Sequence, residues 1–504
     1  MLDVKKVSNL IGLVLFFILI ISVLGIYSSG SAFIGNSFVN SDSLYLPILF
    51  QDVLSNKGSF INWYLTPAPY FFPDYLIYFM AYIIGINTYI QIVTYAILQI
   101  IFLFLVTALL SRQLTKRNNH FLIASVSTII LLWFGLNNPP PYQLLLLSAH
   151  HYGAFISEIL FIAIWLKQIK KEGIDKNNSK KYLSFLCVLA GLVACSDLIF
   201  IVQTLIPYGI ITTLFLIKDK KPINTKYIWP FLPLIFGLLV ALIYGLLVKK
   251  ETAFIPIISL ESTTIRLGQL LQSFREIRET TPKFALYFYS YLVITGITMI
   301  KGIFVVDAPE DRRLFFYLTV FFLLSIISTV FFVCITTTTA YSPRYLIPAY
   351  SLPILYLTFA INRYGRYLYN QLYIVIAVIF LFLVTTKSID VGVFEGEKFR
   401  YYPAKVECID WAIKRNGSFK NGIATYWDAK YFQALSRENI TLAQFDEKMN
   451  EFRWITSKGF YQSTYGFAIL PADLEAMQLN LEKLWGKPDN YEKCDDKIIY
   501  FYNK

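Results

Sequence analysis

Eleven apolar runs, each close to the roughly 20 residues that a helix needs to cross a bilayer, dominate this chain and leave few folds open to it. They lie at residues 10–27 and near 90–110, 121–137, 146–166, 183–197, 199–217, 229–248, 284–303, 314–335, 345–361 and 371–387. Of the 504 residues 56% are hydrophobic and only 15% charged, against about a quarter charged in soluble proteins. An ordinary soluble globular chain is excluded. So are disorder, collagen, a coiled coil and a β-barrel, because the runs are unbroken and carry neither heptads nor ten-residue alternation. The first run follows Lys5 and Lys6, as in a signal peptide, but lacks a clear small-x-small cleavage site. It is expected to remain as the first span, with a cytoplasmic N-terminus.

Charge sorts these runs into a topology. Lys and Arg number 45 against 33 Asp and Glu, a net charge of +12 that in a polytopic chain marks cytoplasmic loops rather than nucleic-acid binding. One further apolar stretch, 70–84, sets the side of everything after it. If it lies along the interface, five basic clusters face the cytoplasm: Arg112, Lys116 and Arg117; Lys167 to Lys181; Lys218 to Lys226; Arg312 and Arg313; Arg363 and Arg366. If it spans, all five face outward. The positive-inside rule therefore makes 70–84 an interfacial helix, entered through Pro67, Pro69 and Pro73. Large external loops then cover 28–89 and 249–283, and the transmembrane part ends at residue 388.

Residues 389–504 turn polar and read as an external α/β domain, large enough for its own core. Strands are expected at 423–426, 465–469 and 497–502, and helices at 406–414 and 473–484. Cys408 and Cys494 are the only cysteines of this tail; in an oxidising compartment they can pair, and as buried thiols they can equally stay apart. Cys187, Cys195 and Cys334 fall in expected spans as packing residues.

Motifs of soluble catalysis are absent: no phosphate loop, no dinucleotide fingerprint, no GxSxG, no HExxH and no paired CxxC. Chemistry must then rest on polar groups at the external membrane face, where an unpaired buried charge costs several kcal/mol. Asp42, in Asn40-Ser-Asp-Ser, stands beyond the first span at the start of a helix expected over 44–54, where capping also accounts for an Asp. Asp52 is expected to be a solvated surface group, and Asp74 a cap or interface residue. His150 and His151 are two of only three histidines and precede Glu158. Adjacent helical residues point about 100° apart, so one histidine can meet a metal or substrate while the other packs. Asp197 sits at an external hairpin, as a cap or a substrate contact. Arg344, in Ser342-Pro-Arg-Tyr-Leu-Ile-Pro, stands at the mouth of the tenth span with no acid near it in sequence. Its guanidinium suits a phosphate held by two hydrogen bonds; snorkelling to lipid headgroups is the other use for it. Arg266, Arg275, Arg278 and Lys283 add positive charge on the second external loop, where Glu276 and Glu279 can pair with them.

This layout resembles the GT-C glycosyltransferases that use polyprenyl-phosphate sugars, above all the protein mannosyltransferase-like and aminoarabinose transferase-like branch. The likeness rests on Asp42 after the first span, the large first loop with interfacial segments at 44–54 and 70–84, Arg344-Tyr-Leu-Ile-Pro at a late span and the C-terminal domain. It implies an integral-membrane transferase, in a bacterial inner membrane, that moves a sugar from the lipid donor to a lipid, glycan or protein acceptor outside the cytoplasm. Asp42 is then the catalytic base or its electrostatic positioner, and Arg344, with Tyr345 and Arg266, the holder of the donor phosphate. The leaving phosphate needs a cation, Arg or a divalent metal, which keeps His150, His151 and Asp197 as metal or substrate candidates. Many members carry a second acid in the loop that here reads Asn137-Asn-Pro-Pro-Pro-Tyr, so His150 or His151 inherits that role. The rival reading is a transporter or flippase of lipid-linked saccharides, which would place charge and broken helices at the bilayer midplane and show inverted repeats.

Overall fold

The computed structural model describes residues 4–28, 39–114, 119–137, 142–172, 176–218, 229–247, 260–280, 282–303, 310–336, 342–364, 369–390, 402–417 and 419–502. Of the expected loops, 29–38 and 248–259 lie outside the described residues, as do Pro139 to Pro141 and the basic residues Lys116, Arg117, Lys220, Lys221, Lys226 and Arg366.

The amino-terminal part is helical: α1 Val4–Ser28, α2 Tyr45–Phe50, α3 Leu76–Ile84, α4 Thr88–Leu114, α5 His120–Asn137, α6 Tyr152–Glu172, α7 Lys176–Ser196, α8 Ile206–Lys218, α9 Leu232–Leu247, α10 Leu260–Thr280, α11 Pro282–Ile303, α12 Glu310–Thr336, α13 Ile347–Tyr364 and α14 Tyr369–Asp390. Eight of these helical segments are long and apolar enough to cross a membrane. Three shorter apolar segments, His120–Leu136, Ile201–Leu214 and Gln371–Thr386, fall on the remaining expected spans, and Phe71–Ile84 falls on the expected interfacial helix. The protein is a multi-pass membrane protein.

Lipid tails are as apolar as leucine, so helix association here depends on small residues and polar side chains. At Gly12 the backbone of α1 runs against Phe121 and Leu122 of α5, where any Cβ would collide, and Ser125 Oγ donates to Gly12 O at 2.6 Å. Ser127 and Thr358 meet at 2.7 Å between α5 and α13, and Asn119 donates to Asn362 at 2.9 Å. The most enclosed spans are Arg344–Arg363, 89% buried, and Tyr152–Lys170, 78% buried, whereas Trp229–Leu247 is only 17% buried and belongs to the rim. The two central helices thus begin directly after Arg344 and the His150–His151 pair.

The carboxyl-terminal part adds α15 Ala404–Arg415, α16 Tyr426–Leu435 and α17 Glu475–Trp485, with strands β2 Asn421–Thr425, β3 Thr441–Phe445, β5 Phe467–Pro471, β6 Asn490–Cys494 and β7 Lys497–Phe501. The sheet order is β3-β2-β5-β7-β6; β2 runs parallel to β3 and β5, and β7 antiparallel to β5 and β6. Cys408 and Cys494 are joined across α15 and β6, with Cα atoms 5.8 Å apart. The sheet unit is fastened to the first loop of the bundle. A short strand, β1 Trp63–Tyr64, pairs antiparallel with β4 Thr456–Ser457, and Ser41 Oγ donates to the Tyr426 and Trp427 carbonyls at 2.8 Å each.

Three local expectations change. The helix expected over 44–54 is α2 continued by a π-helical turn, Gln51–Ser55. Tyr426, expected at the end of a strand, is the first residue of α16. Asp52 is not solvated: it is buried, and its Oδ2 accepts from Trp63 Nε1 at 2.7 Å.

Candidate functional site

Asn40 relieves Asp42 of the capping role. Its Oδ1 accepts from the backbone N–H groups of Asp42 and Ser43, both at 3.0 Å, and α2 has no side-chain cap of its own. The Asp42 carboxylate is left to face two elements far away in sequence. Oδ1 accepts from the Tyr426 hydroxyl, which the end of β2 delivers at the first residue of α16. Burial and the Asp42 charge push the Tyr426 phenol upward, so it stays protonated and donates. Oδ2 lies 3.5 Å from Arg344 Nη1, with Asp42 27% and Arg344 38% exposed. That separation is long for a charge-assisted hydrogen bond and leaves the guanidinium free to grip another anion. Arg344 Nε is shielded from solvent and has no acceptor among the described residues. The Pro343–Leu346 turn at the head of α13 presents Arg344, whose guanidinium lies 5.3 Å over the Tyr345 ring.

Behind Tyr426 stands Lys430 of α16, 2% exposed, with its ammonium 4.1 Å from the Tyr426 ring. Burial pulls it down to about 7, and the Asp42 charge opposes that fall. With its carboxamide turned to suit both neighbours, Gln444 accepts from Lys430 at 3.1 Å and donates to Trp454 O at 2.9 Å.

The histidines do not sit on a helix; α6 starts after them. Ala149 and His151 adopt left-handed backbone, with φ of 59° and 68°, which is uncommon for residues with a Cβ and splits the two imidazoles. His150 is buried with Nδ1 on Ser148 O, and burial lowers it to about 4, so near neutrality it is an uncharged donor. His151 Nδ1 meets Asp197 Oδ2 at 2.6 Å, while its Nε2 lies 3.3 Å from the Tyr70 hydroxyl and its ring 5.1 Å from Tyr345. Burial holds Tyr70 protonated, as a donor to Nε2. Asp197 fills the expected capping role, since its Oδ1 accepts from Ile199 N at 3.2 Å, while its Oδ2 holds His151. Ser148 Oγ ties this loop to the Asp42 turn by donating to Ser43 O at 2.9 Å.

Asp74 anchors the histidine loop, a function that its place in the sequence does not announce. Its Oδ1 accepts from Ala149 N at 3.1 Å and from Tyr95 at 2.7 Å, and burial raises it to about 6. Gly153 is required beside it, because a methyl there would overlap Asp74 Oδ2.

The structure brings together Asp42, Arg344, Tyr345, His150, His151 and Asp197. It does not bring in Arg266, which donates instead to Ile335 O at 3.1 Å and Cys334 O at 3.5 Å, satisfying last-turn carbonyls of α12. Lys283 lies 4.8 Å over Trp133, and Glu276 accepts from Gln272 at 3.0 Å. A divalent metal does not suit the donor set: no group of three or more His, Cys, Asp or Glu converges among the described residues, and His151 Nδ1 is taken by Asp197.

No protein-family model matches the sequence, and no curated protein matches it. Solved structures do. The crystal structure of ArnT from Cupriavidus metallidurans in the apo state aligns with a TM-score of 0.58 at 11% identity, over 97% of both chains. The same protein bound to undecaprenyl phosphate aligns with a TM-score of 0.56 at 12% identity, again over 97% of both chains. The chain therefore has a GT-C-like fold along nearly its whole length.

Proposed function

We propose that the chain is an integral-membrane glycosyltransferase that moves a sugar from a polyprenyl-phosphate donor to an acceptor outside the cytoplasm. The carrying observation is the Asp42–Arg344 pair, a carboxylate and a guanidinium 3.5 Å apart at the mouths of the first and tenth spans. The fold shared with ArnT, one of whose structures holds undecaprenyl phosphate, supports a lipid-phosphate donor.

In this reading the acceptor hydroxyl attacks the anomeric carbon as Asp42 accepts its proton. The bond from that carbon to the phosphate oxygen breaks, and its electron pair stays on the phosphate. Charge therefore grows where Arg344 stands, and its part-exposed guanidinium supplies the preorganised donors. Tyr426 holds Asp42 at the acceptor side. His151, oriented by Asp197, offers its Nε2 edge between Tyr70 and Tyr345 as the second polar contact, in place of a second acid. The charge distribution of the loops favours an orientation with this end of the bundle outside the cytoplasm, and the Cys408–Cys494 bond accords with an oxidising compartment such as that beyond a bacterial inner membrane.

Two measurements test the reading. Cryo-electron microscopy with added undecaprenyl phosphate should show its phosphate beside Arg344, and none there in Arg344→Ala; density only at the middle of the bundle would favour a transporter. A membrane-impermeant thiol reagent should label Lys57→Cys and not Lys180→Cys in intact cells. Labelling of the second would invert the topology.

A further inference from the structure

A second cleft, of about 750 Å3, opens where the junction of α3 and α4 faces the C-terminal unit, and none of the residues around Asp42 lines it. Its volume lies within the ~300–1,000 Å3 of small-molecule sites. The walls pair carboxamides from Gln51, Asn87 and Asn439 with the rings of Tyr82 and Tyr402, and a single cation, Arg437, completes them. Among the described residues no Asp or Glu lines the cleft.

The hydrogen bonding of these groups is incomplete in a way that suits a ligand. Asn87 spends its carbonyl on Ile90 N at 2.9 Å, which leaves the amide N–H groups. Arg437 stacks 3.8 Å over Tyr402 and makes no ion pair among the described residues. The nearby acid, Asp410, is occupied by Tyr402 at 2.7 Å, by Ser436 Oγ at 2.5 Å and by the Arg437 backbone N–H at 2.8 Å. Amides matched to hydroxyls, aromatic faces matched to C–H faces, and one guanidinium that makes no ion pair among the described residues suit a polyol bearing one negative charge. The rim carries apolar surface: Ile86 lines the cleft and is 83% exposed, and Ile83 and Ile84, 67% and 61% exposed, stand just before it at the end of the interfacial helix. Such a rim puts the cleft mouth at headgroup level, with acyl chains below.

We propose that this cleft binds the anionic saccharide headgroup of a membrane-anchored glycolipid. The inference does not depend on the transfer reaction.

The full chain in phosphatidylcholine nanodiscs is titrated with phosphatidylinositol, a polyol ring on one phosphate, and bound lipid is counted by native mass spectrometry. Wild type and Arg344→Ala should bind alike, and Arg437→Ala, at an exposed position, should bind about tenfold more weakly. Phosphatidic acid, with the charge but no polyol, and soluble inositol 1-phosphate, with no anchor, should each bind about tenfold more weakly than phosphatidylinositol. Unchanged affinity in Arg437→Ala, or loss only in Arg344→Ala, overturns the site. Equal binding of phosphatidic acid overturns the saccharide class, and equal binding of inositol 1-phosphate overturns the membrane anchor.

Discussion

Tyr426, on the carboxyl-terminal sheet unit, donates its hydroxyl to Asp42, a carboxylate 384 residues earlier in the chain and just past the first span. The appended unit is thereby part of the site and not a remote module. Ser41 Oγ secures the same junction from the other side by donating to the Tyr426 and Trp427 carbonyls. A hydrogen bond to a charged group contributes about 1.5–3 kcal/mol, and its loss would also let Asp42 swing toward Arg344. Tyr426→Phe should lower the turnover of sugar transfer by about tenfold to a hundredfold while the thermal transition stays near wild type, as a steady-state rate and a melting curve on one preparation can check.

Asp197 fixes which nitrogen of His151 faces the site. With Nδ1–H donated to the carboxylate, Nε2 is the nitrogen turned to Tyr70 and Tyr345. Asp197→Ala should cut turnover by about a hundredfold with a smaller change in donor KM. It should also cost about 1 kcal/mol of stability, because the cap on Ile199 N is lost with it.

Lys430 gives a pH test of the interface between the two parts of the chain. Its pKa falls from an ordinary 10.5 to about 7 on burial, so between those values the unfolded chain binds the additional proton. Stability should therefore rise with pH from about 7 to about 10.5, and the penalty of burying the charge is complete below about 7. Lys430→Met should be more stable than wild type at pH 6 and lack this part of the slope, as melting curves across the pH range would reveal.

The disulfide closes a loop with a sequence separation of 86. Loop-closure entropy puts its contribution at about 4.6 kcal/mol, so Cys408→Ser with Cys494→Ser should lower the midpoint of thermal or denaturant unfolding. Unchanged melting on addition of dithiothreitol would mean that the bond adds nothing to stability.

Hydrophobic run length and loop charge made the bundle legible, because both follow from the cost of placing polar groups in lipid. The α/β character of the tail was readable from its short alternating runs at β2, β5 and β7, but β3, β6 and the inserted α16 were not. Asp42, Arg344, His151 and Asp197 stood out as charges or histidines at one membrane face. What spacing could not reveal was their pairing across hundreds of residues: Tyr426 and Lys430 read as ordinary members of a soluble domain. Arg266 misled for a related reason, since a cation near a helix end serves carbonyls as readily as a phosphate. Asp52 looked like a surface acid and Asp74 like a cap or interface residue, and only the fold brings them against Trp63 and Ala149. The tight turn at Ala149 and His151 has no glycine to announce it.

The most direct test is the turnover of purified Asp42→Asn protein in liposomes, followed as release of free polyprenyl phosphate from a polyprenyl-phosphate sugar in the presence of acceptor. Asparagine keeps the shape and the bond from Tyr426 but cannot take the acceptor proton, so release should fall by at least about a hundredfold while donor binding persists. Release at the wild-type rate would contradict the assignment of Asp42 as the catalytic base.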